Sequence, residues 1–297
     1  MGWLGRAPSC GASSDDGSWC VHRARLLSSL SLLACTLVGC SVSLDANRTQ
    51  CSSDADCTAR GAAFAGSHCL ASVCQADPKW ACVAGSSSPP VTTGGPFRVT
   101  MHFTDLVKRT PLVGVHAELC RKVDVSCAEP AASVVSDTSG SILLQIEAAF
   151  SGYLSIHDDA IVPTLYFFNP TIDRDLDIPA LSLSNGSARG ALLGQLQADT
   201  TRADVLLHAF DCQGNGASEV SFSITPNDGQ VIPYYLSSGL PTRSSTETDS
   251  TGYGGFVNLA SGTVTVTATN GRTKTVLDSL TLVVRAGSAT WSSLVPQ

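Results

Sequence analysis

Beyond residue 96 the chain alternates apolar and polar residues with a period of two. Phe97, Val99, Met101 and Phe103 fall on one side of an extended segment, and Arg98, Thr100, His102 and Thr104 fall on the other. This pattern predicts a strand with one face buried. In 113–119, Val113, Val115, Ala117 and Leu119 alternate with Gly114, His116 and Glu118. Further strand-like runs lie at 141–147, with Ile142, Leu144 and Ile146 on one face, at 153–157 and at 164–168. Turn residues separate the runs at short intervals, which predicts an all-β sandwich or barrel. Residues 84–96 (AGSSSPPVTTGGP) have no periodicity and read as a linker. In 187–198, Leu192, Leu193 and Leu196 have helical spacing, so a short connecting helix is expected there, weakened by Gly190 and Gly194.

After about residue 185 the pattern returns. Val205–Asp211 echoes Val99–Asp105, and Val220–Ile224 echoes Val115–Leu119. Thr248-Asp249-Ser-Thr-Gly252 echoes Ser136-Asp137-Thr-Ser-Gly140, and Ser261–Val266 echoes Ser151–Ile156. Four echoes in one order predict two copies of one domain. The Asp-x-x-Gly element has a local cause: Asp bonds its own backbone to start a turn, and Gly takes the positive φ that closes it.

Phe103, Asp105, Pro111, Leu112, Gly114, Val115, Asp137, Gly140, Gly152, Tyr153 and Leu154 follow the order of motifs in the carboxypeptidase regulatory-like, or transthyretin-like, sandwich family. Residues 97–182 resemble that family closely and 203–295 loosely. The second copy departs from it: Gly216-Ala-Ser-Glu-Val220 lacks the Pro-Leu pair, and Thr263 replaces the Tyr. The resemblance implies about seven antiparallel strands in two sheets per copy, and it implies no reaction. The fold class expected is thus all-β, with two tandem antiparallel sandwiches of transthyretin or Ig type after a signal peptide and a small disulfide-rich segment.

The start of the chain speaks for export. Arg23 and Arg25 precede an apolar run from Leu26 to Gly39, too short to span a bilayer and of the length of a secretory signal. It ends in Leu37-Val38-Gly39-Cys40, which resembles the lipobox of bacterial lipoproteins. That resemblance implies cleavage before Cys40 and acylation of Cys40. Several acyl chains, at about 0.8 kcal/mol per buried CH₂, exceed what stable anchoring needs. An ordinary secreted protein is the alternative. Ser41 follows the Cys where the family's inner-membrane retention signal is Asp, so the resemblance implies the outer membrane. Residues 1–20 do not fit a signal peptide and read as a mis-called start, with Val21 the candidate initiator, or as a disordered stretch. The chain then divides into 1–20, a signal peptide at 21–39, a tether at 40–50, a Cys-rich segment at 51–83, the linker at 84–96, a first sandwich at 97–182, a connecting segment at 183–202 and a second sandwich at 203–297.

Twelve Cys are present, and eight remain after Cys10, Cys20, Cys35 and the lipidation candidate Cys40 are set aside: Cys51, Cys57, Cys69, Cys74, Cys82, Cys120, Cys127 and Cys212. An exported chain meets an oxidising compartment, so disulfides are the default. Cys51, Cys57, Cys69 and Cys74 crowd a segment with almost no apolar core, which needs staples. Two bridges are expected there, with Cys51–Cys69 and Cys57–Cys74 one interlaced arrangement. Cys120 and Cys127 are suited to closing one loop, which leaves Cys82 and Cys212 to pair across domains. Zinc is the alternative for the first cluster, with His68 beside it, but C-x5-C and C-x4-C do not make knuckle pairs. The cluster also resembles Cys-rich segments that follow the anchor in lipoproteins of gliding, predatory bacteria, which implies no activity.

Composition narrows the remaining options. Charged residues make up 14% of the 297, and the formal charge is −7. That excludes a solvated disordered chain and gives no basic surface for nucleic acid. No Gly-x-Ser-x-Gly, His-Glu-x-x-His or Gly-rich phosphate loop occurs, so no enzyme and no cofactor are expected. His102 and His116 could share a metal if their strands pair through a turn near 109, but no third ligand is in view and two exposed polar positions account for them. Asp173, Asp175 and Asp177 alternate onto one side of an extended segment, as weak calcium candidates or as a solvated edge. Tyr234 and Tyr235, like Tyr166-Phe167-Phe168, serve either as a sugar-stacking surface or as core. The expected function is a non-catalytic envelope protein anchored to the membrane by lipid, a structural, adhesive or protein-contact module. Its partner would be an unknown protein or, in the alternative reading, a polysaccharide. The sequence leaves open which face of the outer membrane it occupies.

Overall fold

The structure is a computed structural model that describes residues 49–61, 64, 66–83, 94–105, 108–159, 161–169, 172, 175–182 and 194–296, with backbone only at 177–182 and 194. The proposed start, signal peptide, Cys40, most of the linker, Asp173, Leu192 and Leu193 lie outside these residues. The chain from Arg48 onward is one compact unit.

It begins with a small cap. Helix α1 (Asp54–Thr58) is started by Ser53, and the Asp56 carboxylate accepts the Ser52 and Ser53 amides at 2.7 and 2.9 Å. Those bonds lower the Asp56 pKa to about 2, the Ser52 hydroxyl contributing most. Strands β1 (Ser67–Leu70) and β2 (Val73–Ala76) form a hairpin turned by Ala71 and Ser72 at positive φ. Disulfides Cys51–Cys69 and Cys57–Cys74 hold helix to hairpin. So short a segment buries too little to fold alone, and the staples supply what its core lacks.

Two repeats follow. The first has β3 (Phe97–Asp105), β4 (His116–Arg121), β5 (Ala132–Val135), β6 (Ser141–Ile146), β7 (Gly152–His157), β8 (Thr164–Phe167) and β9 (Leu176–Ser182). The second has β10 (Ala203–Ala209), β11 (Val220–Thr225), β12 (Ile232–Ser237), β13 (Leu240–Thr242), β14 (Tyr253–Leu259), β15 (Gly262–Asn270), β16 (Val276–Val284) and β17 (Ala289–Leu294). Sheet order β6-β3-β9 in the first repeat matches β14-β10-β17 in the second, and β4-β7-β8 matches β11-β15-β16. Between the repeats, Gly194–Leu196 makes one 3-10 turn.

The echoes in sequence become the same hydrogen bonds twice over. The Ser136 hydroxyl donates to Leu112 O at 2.7 Å and accepts from Val115 N at 2.9 Å. The Thr248 hydroxyl donates to Ala217 O at 2.6 Å and accepts from Val220 N at 3.0 Å. Gly140 and Gly252 both have positive φ, and a Cβ on them would lie 2.7 Å from Phe103 O and 2.3 Å from Ala209 O. Each Asp-x-x-Gly turn is therefore pressed against the first strand of its own repeat, where no side chain fits.

The fold is all-β as expected, but one detail differs: the sandwiches are not purely antiparallel, and the last strand of each repeat runs parallel to its first, as β9 does to β3 and β17 to β10. The two repeats also share a sheet. The outer edge of β17 pairs, in parallel, with β8, through Ala289↔Thr164, Thr290↔Leu165, Trp291↔Tyr166 and Ser292↔Phe167. The result is one nine-stranded sheet, β13-β12-β14-β10-β17-β8-β7-β4-β5. Joining the two edges satisfies backbone groups that would otherwise invite pairing with other chains.

The two three-stranded sheets cover opposite faces of the long one. Val205 and Leu207 pack with Val220, Val264 and Val266 of the β11-β15-β16 sheet. Leu154 and Ile156 point the other way, to Val99, Met101 and Phe103 of the β6-β3-β9 sheet. The face of the first repeat turned away from its own core therefore continues the core of the second: Cys120, Tyr153, Leu165 and Phe167 belong to that second core. The Tyr153 ring stacks on Phe167 at 4.9 Å, and its hydroxyl donates to Asp124 O at 2.7 Å and accepts from Arg285 Nη2 at 2.7 Å. Arg285 also donates to Val125 O at 2.8 Å. Disulfide Cys120–Cys127 closes the loop that Tyr153 and Arg285 grip.

Asp278 is buried at the same seam. Asn169 Nδ2 and Val295 N donate to its Oδ2 at 2.9 and 3.1 Å, and Ser279 N donates to Oδ1 at 2.7 Å. Burial raises its pKa despite these bonds. A carboxyl whose pKa is higher folded than unfolded holds its proton better in the folded state, so stability falls as pH rises from the unfolded value through the folded one. We expect Asp278→Asn to gain stability relative to the parent as pH is raised through that window, measured by urea unfolding at several pH values. A difference independent of pH would show that the carboxyl titrates alike in both states.

Candidate functional site

The cap is not a spacer ahead of the first sandwich. Trp80, at 3% exposure, inserts into the core of the second repeat. Cys212 N donates to Lys79 O at 2.9 Å, Gln213 Nε2 to Pro78 O at 3.1 Å, and Cys82 is bonded to Cys212. Arg272 reaches Asp54 at 3.5 Å. The chain thus enters through a cap fastened to the half of the molecule most distant in sequence.

The sequence candidates resolve as follows. All eight cysteines are paired, so the sulfurs of Cys51, Cys57 and Cys74, which lie close enough to hold an ion, are occupied by disulfide bonds. His102 and His116 do not meet. His102 sits on β3, its Nδ1 2.7 Å from Ser141 Oγ, whereas His116 on β4 stacks with His157 of β7 at 5.6 Å. Their strands lie in different sheets. Asp175 Oδ1 accepts the Arg98 amide at 2.8 Å, and Asp177 lies on β9.

Tyr234 and Tyr235 are core, each 4% exposed, and cannot lie against a polysaccharide. Tyr235 stacks on Phe222 at 5.7 Å, and its hydroxyl accepts the Phe222 amide at 2.9 Å. Tyr234 packs on the other side of the sheet with Leu196 and Val257, and burial raises its pKa strongly. Adjacent residues of a strand face opposite sides, and here both sides of the sheet are covered.

Beside Tyr234, on the side of the long sheet away from β11-β15-β16, lies a partly exposed surface that bears aromatic and polar side chains. Five neighbouring strands contribute to one row across it. Pro241 of β13 is paired with Leu236 of β12, and Tyr253 of β14 with His208 of β10. Ser293 of β17 follows beside His208. Tyr253 falls one position beyond the Tyr235↔Gly254 pair, next to Leu236. The His208 ring lies 4.0 Å from that of Tyr253, stacked, and 3.9 Å from that of Phe210. Burial lowers the His208 pKa, and a bond to the Thr251 backbone opposes the shift.

One row away, Trp291 and Tyr166 are direct cross-strand neighbours. Tyr253, His208, Phe210, Trp291 and Tyr166 are all half-buried. Among the described residues, the Tyr253 hydroxyl, the Trp291 indole N–H and the exposed Arg243 guanidinium have no hydrogen-bond or salt-bridge partner. At the β12–β13 end the row opens into a groove of about 450 Å³ lined by Gln195, Ser237, Thr242, Arg243 and Ser244, with Leu240 and Pro241. Neither Trp291 nor Tyr253 stood out in the sequence. Single aromatics in separate strands carry no local motif, and only the sheet order gathers them.

No protein-family model matches the chain, and no curated protein does. Among solved structures, the TIE protein of Bacillus anthracis overlays with a TM-score of 0.23 and 11% identity, covering 68% of this chain and 34% of its own, so this chain spans about a third of that protein's length. The shaft pilin spaA of Lactobacillus rhamnosus GG overlays with a TM-score of 0.23 and 12% identity, covering 68% of this chain and 98% of that one. GBS52, the minor pilin of Streptococcus agalactiae, gives 0.21 and 12%, covering 68% and 97%. Identities and scores this low transfer no property to this chain.

Proposed function

We propose that the protein is a non-catalytic, exported contact module of the cell envelope, tethered through acylated Cys40 to the outer membrane, with both repeats of the carboxypeptidase regulatory-like type. The observation that carries the reading is the Cys82–Cys212 bridge, which spans 130 residues and joins the cap to the second sandwich. A pull on a tether ahead of residue 49 enters the cap and passes through this bond into the long sheet, without peeling the first sandwich strand by strand. Such a path suits a body held at one end that engages a partner at the other. Four disulfides support an oxidising compartment.

The test is metabolic labelling with a palmitate analogue in cells expressing the full chain or Cys40→Ser, together with protease treatment of intact and lysed cells. The reading expects label on the parent only, and digestion in intact cells if the sandwiches face outward. Unlabelled parent protein, or release of all of it into the medium, would overturn the tether.

A further inference from the structure

We infer that the aromatic row and its groove bind a polysaccharide strand. The row from Pro241 to Ser293 crosses four strand spacings of about 4.8 Å, roughly 19 Å in all, which is the reach of several linked sugar rings. A pyranose presents an apolar C–H face and a rim of hydroxyls. The row and its neighbours offer matching parts: the half-buried ring of Tyr253 within it, those of Phe210, Trp291 and Tyr166 beside it, and the Tyr253 hydroxyl and Trp291 indole N–H left unpaired. The groove continues them with the hydroxyls of Ser237, Thr242 and Ser244, the Gln195 amide and the planar donor fork of Arg243.

A protein partner is the less suited occupant. The centre of a protein interface is a contiguous apolar patch ringed by polar residues, whereas here His208 and Ser293 interrupt the row and Ser237, Thr242, Arg243 and Ser244 line its β12–β13 end. The rings are fixed in advance: His208 is held between Phe210 and Tyr253, so little side-chain freedom is lost on binding.

This inference rests on the reading of the protein as an exported contact module. Its test needs no tether, however, so the two can fail separately. Purified full-length protein is run in native gels containing laminarin, hydroxyethylcellulose, xylan or polygalacturonate. Retardation by at least one is expected. Tyr253→Ala, Trp291→Ala and Arg243→Ala, the last at an exposed position, should each weaken it about tenfold, 1.4 kcal/mol, while Thr267→Ala on the opposite sheet should not. Thermal unfolding run in parallel identifies any variant that has lost its fold, and Arg243→Ala, at an exposed position, remains decisive if an aromatic variant unfolds. No retardation by any of the four polymers, or retardation unchanged in Arg243→Ala and in the folded aromatic variants, would overturn the proposal.

Discussion

Replacing Cys82 and Cys212 together by serine is expected to lower the unfolding free energy by about 5 kcal/mol, the chain-entropy value for so long a closed loop. The bond separates residues 130 apart. The bridges within the cap close loops of 18 and 17 residues, for which the same relation gives about 3 kcal/mol each. Without the long bridge, Trp80 and the backbone bonds from Cys212 to Lys79 remain, but each opening of the cap is then free to widen. Two readings follow the change: the urea midpoint should fall, and limited proteolysis should cut near residue 83 before it cuts the sandwiches. An unchanged midpoint with intact cap resistance would mean that Trp80 burial alone holds the cap, and the force path proposed above would lose its support.

The strands of each repeat were legible because alternation survives where one face is core and the other water. In β3, Val99, Met101 and Phe103 are fully buried while Arg98 is exposed. The cysteine pairing was legible from clustering for Cys51, Cys57, Cys69 and Cys74 and for Cys120 with Cys127, where short loops leave few partners within reach, whereas Cys82 and Cys212, 130 residues apart, were only the pair left over. The junction was not legible, because it breaks the same rule. Thr290 is fully buried, and its hydroxyl donates to Val283 O at 3.1 Å. A polar residue at such a position reads as surface in a sequence. The departure at Thr263 has the same origin. Its counterpart Tyr153 lies on a sheet face covered by the second repeat, whereas Thr263 is exposed on a face with Thr265 and Thr267. A large ring fills the covered face at Tyr153, and a small polar residue suffices on the exposed face at Thr263. Tyr234 and Tyr235 stayed open between core and platform because an aromatic pair carries the same letters in both, and their burial places them in the core.

That asymmetry makes Tyr153 the residue on which the union of the two halves depends most. Tyr153→Ala should cost about 3–5 kcal/mol, the range for emptying a large buried aromatic site. It removes the ring stacked on Phe167 at 4.9 Å and the hydroxyl that accepts from Arg285 and donates to Asp124 O. Tyr153→Phe keeps the ring and should lose only about 1–2 kcal/mol through the orphaned partners. The larger loss falls on the contact between repeats, because Tyr153 is part of the second repeat's core and not of its own. Calorimetry should therefore split one transition into two in the alanine variant, the first repeat melting apart from the second, while the phenylalanine variant melts as one. A single transition in the alanine variant, merely lowered, would assign the coupling instead to the β17–β8 ladder, whose backbone bonds the substitution leaves in place.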